Sequence, residues 1–499
     1  MILAHDIGTT GNKASLHQDD GKIMSTTTEH YETHYAPGGV VEQNPENWWV
    51  AFCKASLRLL AENDVNPSKI SVVGVSGQMM GAVLLNSHFE PSRPAIIWAD
   101  TRSQESCDDL VEKIGAVAAY ELLGHQLNPT YSITKVMWVK EHEPEIFAKS
   151  VKMCQAKDYI AYKLTDVLVT DPSDASSTNA FNQNTGTWSQ LILDAAQIEG
   201  SLMPEIVPST TVIGLITARA ARDSGLAQGT PVVIGGGDGP IAAAGLGIVN
   251  PSDGAYVYLG SSSWVSMASD NPLLDSPLMR TMTFNHVCSD RFVPTATMQS
   301  GGGSLHWIAD LLSDKQDRNR FANLVARAET AEASGENLYF LPYLLGERSP
   351  IWNPRARGAF IGLSRHHAAE HLTKAVLEGV AFNLAVCLDA FREGGISINQ
   401  VDAIGGGAAS DTWLQILADV WDCKINRRSI VDEANSLGAA VTAGVGIGLI
   451  SSFNSARSLS DITMQFIPEP DRVQQYRTQR AAFVDAYNCL TPWFDRNAP

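Results

Sequence analysis

The sequence predicts an α/β fold made of two similar lobes. Short apolar strands that end in glycine alternate with amphipathic helices along the whole chain, a pattern typical of α/β proteins. A strand–turn–strand unit at the N-terminus is echoed at residues 254–267, roughly halfway along the 499 residues. The echo predicts two lobes of comparable size, although two ordinary, unrelated hairpins would give the same pattern.

The first half begins with a β-hairpin and continues into a capped helix. Asp20 and Gly21 form a turn signal that leads from the second strand into a third. Asn44 is a favourable N-cap, and Pro45 suits the first position of the helix that follows. The clearest strands of this half are predicted over residues 1–5, 14–17, 70–75 and 231–234.

The second half begins near the Asn-Pro-Ser-Asp segment of residues 250–253, which is typical of a boundary between domains. We therefore predict a first lobe over residues 1–248 and a second lobe over residues 249–499. Apolar side chains at helical spacing predict a helix over residues 370–393, ended by two glycines.

Composition limits the class of partner. The chain carries 36 Lys and Arg against 54 Asp and Glu, a formal net charge of −18. This acidic balance is unfavourable for binding nucleic acid or an anionic membrane, so we expect neither partner. The seven cysteines are scattered and form no CxxC pair, and Asp6 interrupts the segment where a signal peptide needs an apolar core. These features favour a cytoplasmic protein.

The first turn has the composition of an anion-binding site. Gly8 permits a close approach of the backbone, and Thr9 and Thr10 supply hydroxyl and amide donors. Lys13 adds a positive charge, and Asp6 is placed to hold a metal ion. A threonine-rich hairpin turn without a ligand is the alternative.

A second candidate is a carboxylate at the end of a strand. Three glycines, residues 235–237, follow a predicted strand and lead through Asp238 and Gly239 into a predicted small-residue helix over residues 242–246. A carboxylate at this position can accept a proton from a hydroxyl nucleophile or bind a metal ion. An aspartate that caps the following helix is the alternative.

A third glycine-rich turn joins a predicted strand, residues 401–404, to a helix. Glycines at 405–407 let a flat ligand approach the backbone, and Asp411 is placed to meet a ribose or a purine edge. A plain tight turn is the alternative. The sequence has no Walker A motif, no HExxH and no Gly-x-Ser-x-Gly elbow, which excludes P-loop, zinc-protease and α/β-hydrolase sites.

Taken together, the motifs resemble those of the FGGY carbohydrate kinases, a branch of the actin–hexokinase superfamily, over nearly the whole chain. The resemblance implies two actin-like (ribonuclease H-like) lobes around a central cleft, with the sugar on the first lobe and the nucleotide mostly on the second. The matching segments are the first phosphate motif (residues 6–10), the second phosphate motif (260–262), the C-terminal signature (341–350 and 357–382) and the adenosine motif (405–408 and 437–440).

The resemblance also implies a role for each motif residue in phosphoryl transfer from ATP. Asp238 matches the family's catalytic aspartate, which accepts the proton of the attacking sugar hydroxyl. Asp6 and Asp238 would hold Mg²⁺. The residues implied to bind ATP and its phosphates are Gly8, Thr9, Thr10, Lys13, Gly260, Ser261, Gly302, Gly406, Gly407, Ala408 and Asp411.

The sugar-binding segments are most similar to those of the xylulokinase subfamily, which implies conversion of D-xylulose to D-xylulose 5-phosphate. Two positions depart from the subfamily: Met80 stands where it has histidine, and Gly239 where it has asparagine. A thioether and a bare backbone cannot replace the hydrogen bonds of those groups. Ribulose, fuculose, gluconate, glycerol and erythritol are therefore alternative substrates. The implied sugar-site residues are Gln78, Met79, Met80, Trp98, Asp100, Asp238 and Gly239, although Trp98 is equally suited to core packing.

Two functions from other classes compete with this interpretation. A catalytically silent sugar sensor or scaffold would be expected to lose Asp6, Asp238 or the glycine turns, all of which are present. An actin- or chaperone-like ATPase would lack the C-terminal signature and the segment around Gln78. The expected ligands are a small sugar and ATP, and a homodimer is one expected assembly.

Overall fold

A computed structural model of the protein describes residues 1–430 and 433–497. The strands of the first half are β1 (Ile2–Ile7), β2 (Gly11–His17), β3 (Ile23–His30), β4 (His34–Ala36), β5 (Val40–Gln43), β6 (Val72–Gly77), β7 (Val83–Asn86), β8 (Ala95–Ile96), β9 (Ser150–Cys154), β10 (Val169–Thr170), β11 (Phe181–Asn182), β12 (Thr187–Trp188), β13 (Glu205–Ile206), β14 (Val212–Leu215) and β15 (Pro231–Gly237). Its helices are α1 (Pro45–Glu62), α2 (Gln104–Ile114), α3 (Ala116–Leu123), α4 (Ser132–His142), α5 (Pro144–Lys149), α6 (Ala156–Thr165), α7 (Pro172–Ser176), α8 (Gln190–Ala196), α9 (Ala218–Ser224) and α10 (Asp238–Gly245).

The second half contains a second large sheet and longer helices. Its strands are β16 (Ala255–Leu259), β17 (Ser263–Met267), β18 (Met282–Asn285), β19 (Phe292–Met298), β20 (Tyr339–Leu341), β21 (Ala359–Ile361), β22 (Gln400–Ile404), β23 (Lys424–Arg428) and β24 (Ile462–Phe466). Its helices are α11 (Gly302–Leu312), α12 (Arg320–Ala328), α13 (Ala369–Glu393), α14 (Asp411–Trp421), α15 (Ala434–Gly446) and α16 (Pro470–Asn497).

The local sequence signals act as expected at most element ends. The Asn44 side chain accepts a hydrogen bond from the backbone N–H of Glu46 at 3.0 Å and so caps α1. Helix α13 ends at Gly394, as predicted. The helix after the three glycines differs from the prediction because it begins at Asp238, four residues earlier, where Pro240 fits its first turn.

The two large sheets repeat one strand order. The first sheet runs β14-β15-β6-β1-β2-β3, and the second runs β18-β19-β17-β16-β22-β23-β24. In each sheet an antiparallel hairpin, β1–β2 or β16–β17, pairs through its first strand with a parallel strand, β6 or β22. The predicted echo of the first hairpin is therefore part of a repeated sheet, as two actin-like lobes require.

Each sheet is covered by its own helices and core. Helices α1 and α6 pack on the first sheet, where Trp48, Phe52 and Tyr159 are buried. Helices α13 and α14 pack on the second sheet, and two indoles of α14 fix them to each other. The Trp413 indole N–H donates to the Leu377 carbonyl at 3.2 Å, and that of Trp421 to the Ala381 carbonyl at 3.0 Å.

Helix α15 connects the two halves of the chain. It follows the second sheet in sequence, yet its Leu437 and Val441 share an apolar core with Ile2 and Val72 of the first sheet. Helices α10 and α15 also pack closely against each other. The division into residues 1–248 and 249–499 stays a prediction.

Two further features concern helix length and the cysteines. Along the described ranges, no helix combines the length and the apolarity needed to cross a membrane. The seven cysteines are all free thiols, and Cys489 alone among them is exposed.

Candidate active site

The turn between β1 and β2 is restrained by hydrogen bonds from side chains. The Gly8 N–H donates to the Gly11 carbonyl at 3.1 Å and closes the turn. The Tyr31 hydroxyl donates to the Gly8 carbonyl, and Gln43 Nε2 donates to the Thr9 carbonyl at 2.6 Å. The carbonyls of Gly8 and Thr9 in the predicted phosphate turn are therefore engaged by side chains of the same lobe, which restrains the turn.

Asp6 lies at the end of β1, where residues from both halves of the chain meet. Ser76 Oγ donates to one of its carboxylate oxygens at 3.0 Å, and Asn435 Nδ2 donates to the other at 3.2 Å. Burial raises the pKa of Asp6, while these two hydrogen bonds and the charge of Lys13 oppose that rise. The carboxylate is thus buried and already oriented.

Asp238 faces the same space from the first turn of α10. Burial and, second, the charge of Asp6 raise its pKa to about 7, although part of its surface reaches solvent. The Gly239 N–H donates to Asp238 Oδ1 at 2.8 Å. Gly237 occupies the N-cap position, so Asp238 is not the cap that the alternative interpretation required. Asp238 and the Asp6 carboxylate, whose charge helps to raise the pKa of Asp238, form the centre of the candidate site.

The second hairpin contacts the start of α10. The Tyr256 hydroxyl donates to the Gly239 carbonyl at 3.1 Å, and the Trp264 indole N–H donates to that hydroxyl at 3.1 Å. Trp264 also stacks on Tyr258 with ring centroids 4.2 Å apart. The hairpin that carries the second phosphate motif is thereby joined to the residues beside Asp238.

The second phosphate turn packs against the N-terminus of α11. The Gly302 N–H donates to the Gly260 carbonyl at 2.7 Å, and the Gly303 N–H donates to the Ser261 carbonyl at 2.9 Å. A Cβ at Gly302 would lie 2.5 Å from the Gly260 oxygen, so only glycine fits there. The structure brings Gly302, which the resemblance implied to frame the adenosine, against Gly260 and Ser261, which it implied to hold the phosphates.

The third glycine turn has one open face. A Cβ at Gly406 would meet nothing within 4 Å, whereas a Cβ at Gly407 would lie 2.8 Å from the Leu259 side chain. Arg427 donates to the Ala408 carbonyl at 2.7 Å and forms an ion pair with Asp411. Gly406 can therefore admit a flat ligand, while the Asp411 carboxylate already has a partner.

The two methionines of the sugar segment have different environments. Met79 is buried, and its sulfur would lie 3.9 Å from a Cβ at Gly239. Met80 has a positive φ of 66°. Its N–H donates to Ser177 Oγ at 3.2 Å, and its carbonyl accepts from Lys135 Nζ at 2.7 Å. Both backbone groups of Met80 are therefore fixed.

The remaining sugar-site candidates divide into two groups. Gln78 and Trp98 extend the phosphate turn, because Gln78 donates to Gln43 at 2.8 Å and the Trp98 indole donates to Thr9 Oγ1 at 2.8 Å. Asp100 is fully buried, and its oxygens accept from the Val41 N–H at 2.6 Å and from the Arg102 guanidinium. Asp100 therefore stabilises the loop in which it lies.

The segment comparison with known families agrees with this geometry. Residues 1–245 match the FGGY family of carbohydrate kinases, N-terminal domain, and residues 255–447 match the C-terminal domain of the same family. The chain belongs to the FGGY family of carbohydrate kinases.

Individual FGGY kinases cover almost the full chain. This protein is 32% identical over 492 residues to the xylulose kinase of Escherichia coli K12, and the match covers 99% of each chain. The fold is similar to xylulose kinase from Lactobacillus acidophilus, with TM-score 0.93, 27% identity and 99% coverage of both chains. Gluconate kinase from the same organism gives TM-score 0.93, 27% identity and 99% coverage of both chains. The predicted pair of actin-like lobes is confirmed.

Several side chains of this FGGY kinase were not predicted from the sequence. Lys135 is fully buried, and burial lowers its pKa to about 7. Tyr131 is buried beside Met79, and its hydroxyl donates to Met282 Sδ at 3.4 Å. Arg348 lies 5.9 Å from the centroid of Trp98, and its Nε is buried without a hydrogen-bond partner. Arg348 falls within the C-terminal signature of residues 341–350, which could have singled it out.

A second group of possible metal ligands lies on the surface. Glu336, His366 and His367 bring ligand atoms within 4.8 Å of one another. The Ser364 N–H donates to Nδ1 of His367 at 3.0 Å, so the neutral ring keeps its proton on Nε2, the atom that faces Glu336. That nitrogen cannot bind a metal ion in this arrangement. Asp6 and Asp238 stay the predicted metal ligands.

Proposed function

We propose that this FGGY kinase transfers the γ-phosphate of ATP to a hydroxyl of D-xylulose and produces D-xylulose 5-phosphate. The observation that carries the proposal is Asp238, which faces Asp6 between the sugar segment and the phosphate turns. The names of the xylulose kinases from Escherichia coli and Lactobacillus acidophilus support the choice of sugar.

The chemistry required of the protein is mainly positioning and proton transfer. Phosphoryl transfer needs donors for the phosphate oxygens and an acceptor for the proton of the attacking hydroxyl. Asp238 is the acceptor, and a pKa of about 7 suits a general base at neutral pH. Gly8, Thr9 and Lys13 bind phosphate oxygens from the first lobe, while Gly260 and Ser261 do so from the second.

Asp6 and Asp238 fit Mg²⁺ as its protein ligands. Mg²⁺ prefers carboxylate oxygens, and a divalent cation would offset the mutual repulsion that raises the pKa of Asp238. When bound, the ion would neutralise charge on the β- and γ-phosphates. The chain's own contribution is to present both carboxylates already oriented, Asp6 by Ser76 and Asn435 and Asp238 by the Gly239 N–H.

The proposal is tested by coupled ADP release with a panel of sugars. D-Xylulose should give the highest kcat/KM among ribulose, fuculose, gluconate, glycerol and erythritol. Asp238→Asn should lower kcat by about 10²- to 10⁴-fold while ATP and sugar still bind. A competitor that exceeds D-xylulose tenfold would refute the substrate, and sugar binding without turnover of any sugar would support the silent scaffold instead.

Gluconate is a second candidate because of one side chain. The half-buried Arg348, whose buried Nε has no hydrogen-bond partner, is suited to a carboxylate, which gluconate has and D-xylulose lacks. The gluconate kinase from Lactobacillus acidophilus also matches the fold as closely as the xylulose kinase does. If gluconate is the substrate, Arg348→Gln should reduce kcat/KM for gluconate far more than for D-xylulose. Equal losses would contradict a carboxylate contact.

Other expectations stay predictions. They are the cytoplasmic location, a homodimer, the lack of nucleic-acid and membrane partners, and the individual site residues.

A further inference from the structure

A buried group of charged residues lies behind Asp238. Lys157 is fully buried, and its Nζ lies 2.6 Å from Asp158 Oδ1, 3.0 Å from Asp171 Oδ1 and 3.1 Å from Asp174 Oδ2. Burial raises the pKa of Asp158 and raises that of Asp174 well above its usual value. The group is therefore a tightly bonded anchor inside the first lobe.

Two hydrogen bonds connect this anchor to the residue before Asp238. Ser173 Oγ donates to Asp171 Oδ2 at 2.6 Å. Ser173 Oγ also accepts a hydrogen bond from the backbone N–H of Gly237 at 2.9 Å. A serine hydroxyl has one proton to donate, and here the carboxylate takes it. A lone pair of Ser173 Oγ therefore faces the backbone N–H of Gly237, the residue that precedes Asp238.

The end of β15 needs such an external connection because it has no side chains. Residues 235–237 are all glycine, and Gly235 has a φ of +68°, a conformation that other residues adopt rarely. Close packing enforces glycine, since a Cβ at Gly237 would lie 2.5 Å from Met79 Cγ. Glycine backbone is the most flexible type, so the Gly237 N–H contact restricts where Asp238 points.

The segment around α7 also contacts the predicted sugar-binding loop. Ser177, which follows α7, accepts the Met80 N–H at 3.2 Å and donates to the Asp174 carbonyl at 2.8 Å. Helix α7 and the residue that follows it thus contact both Gly237, the residue before the proton acceptor, and Met80 of the sugar segment. A displacement of α7 would change the distance between them.

We infer that Ser173, anchored through Asp171 and Lys157, is a positioning residue that sets the orientation of Asp238 through the Gly237 N–H. The inference rests on the proposed role of Asp238 as proton acceptor. Ser173 contacts neither the sugar nor the nucleotide in this role. Its contribution appears in the rate of phosphoryl transfer.

The chain supplies a matched control for the test. Ser209 is buried like Ser173, and its hydroxyl donates to the same oxygen, Asp171 Oδ2, at the same 2.6 Å. The Gly237 N–H, however, donates to Ser173. Ser173→Ala and Ser209→Ala therefore remove equivalent bonds from the anchor, and Ser173→Ala alone also removes the contact to the strand end.

The measurements are kcat, KM for sugar and ATP, and thermal unfolding of both variants. Ser173→Ala should lower kcat by about 10- to 100-fold with both KM values within about twofold, because a small misplacement of a reacting group costs this much. Ser209→Ala should keep kcat within about threefold at a similar Tm. If Ser173→Ala does not fold, Ser173→Cys is measured instead: it fills the position with a somewhat larger sulfur that accepts the N–H only weakly, and its kcat is compared with that of Ser209→Ala.

Each outcome separates the inference from the proposed function. Equal losses of kcat in the two alanine variants, or no loss in either, would overturn the positioning role. Asp238→Asn is measured in parallel: if it keeps the wild-type kcat, the proton-acceptor role fails and the positioning role fails with it. If Asp238→Asn is inactive while Ser173→Ala matches Ser209→Ala, only the inference fails.

Discussion

Asp238→Asn should stabilise the folded protein while it removes activity. The folded state holds Asp238 in a buried position beside the charge of Asp6, and both conditions disfavour its ionised form. Asparagine has nearly the same shape and no charge. The variant therefore keeps the packing at the start of α10 and avoids the electrostatic cost of a second carboxylate in the cleft.

The size and pH range of this effect follow from the shift in pKa. The carboxyl has a pKa of 3.8 in its ordinary state and about 7 in the fold. Between these two values the folded state keeps a proton that the unfolded state has lost, so stability falls as pH rises from about 4 to 7 and stays level above. Three pKa units correspond to about 4 kcal/mol at most. Partial exposure of Asp238 reduces our expectation to about 2 kcal/mol.

Thermal unfolding at pH 4.5 and pH 8 measures the effect. The Tm of Asp238→Asn minus that of the wild type should be small at pH 4.5 and larger by about 4 °C at pH 8, at roughly 2 °C per kcal/mol. The exposed Asp485→Asn serves as the control for the loss of one carboxylate outside the cleft. A difference for Asp238→Asn that is constant or that shrinks toward pH 8 would refute the argument.

Three further results are expected. Met80→His combined with Gly239→Asn should raise kcat/KM for D-xylulose about tenfold without a similar gain for gluconate. The fold can accept both changes, because histidine tolerates the positive φ at position 80 and a Cβ at position 239 meets only the Met79 sulfur at 3.9 Å. No selective gain would mean that these side chains do not reach the sugar. Gly237→Ala should reduce kcat and Tm, and Gly239→Ala should be tolerated, because a Cβ at 237 would lie 2.5 Å from Met79 Cγ; equal behaviour in activity and melting assays would contradict this. Sugar and nucleotide together should close the cleft, and an unchanged radius of gyration in small-angle scattering with both ligands bound would contradict closure.

The repeated hairpins and the long α13 were predictable because their signals are local. Glycine at strand ends, Asn44 before Pro45 and the helical spacing over residues 370–393 each act within a few residues. The position of α15 was not predictable in this way. Asn435 contacts Asp6 across 429 positions of sequence, and no local pattern reports such a pairing.

The residues of the candidate site also divide into those that local sequence signals predict and those that they do not. The glycine turns were found because close approach of the backbone requires glycine, which a sequence shows directly. Lys157, Ser173 and Lys135 were missed because a buried lysine or serine looks like a surface residue until the fold supplies its partners. Asp100 was identified for its sequence context, and the structure engages its oxygens with Arg102 and the Val41 N–H.

The close packing of α10 on α15 explains how the two aspartates stay together. A Cβ at Gly245 would collide with the Ala434 carbonyl, and a Cβ at Gly438 with the Ile241 carbonyl, so the two helices lie at backbone contact. Asp238 begins α10, and Asn435 on α15 donates to Asp6. Movement of the phosphate turns relative to each other therefore leaves the pair of aspartates intact. Asp238 therefore stays beside the charge of Asp6, which together with burial keeps its pKa raised to about 7.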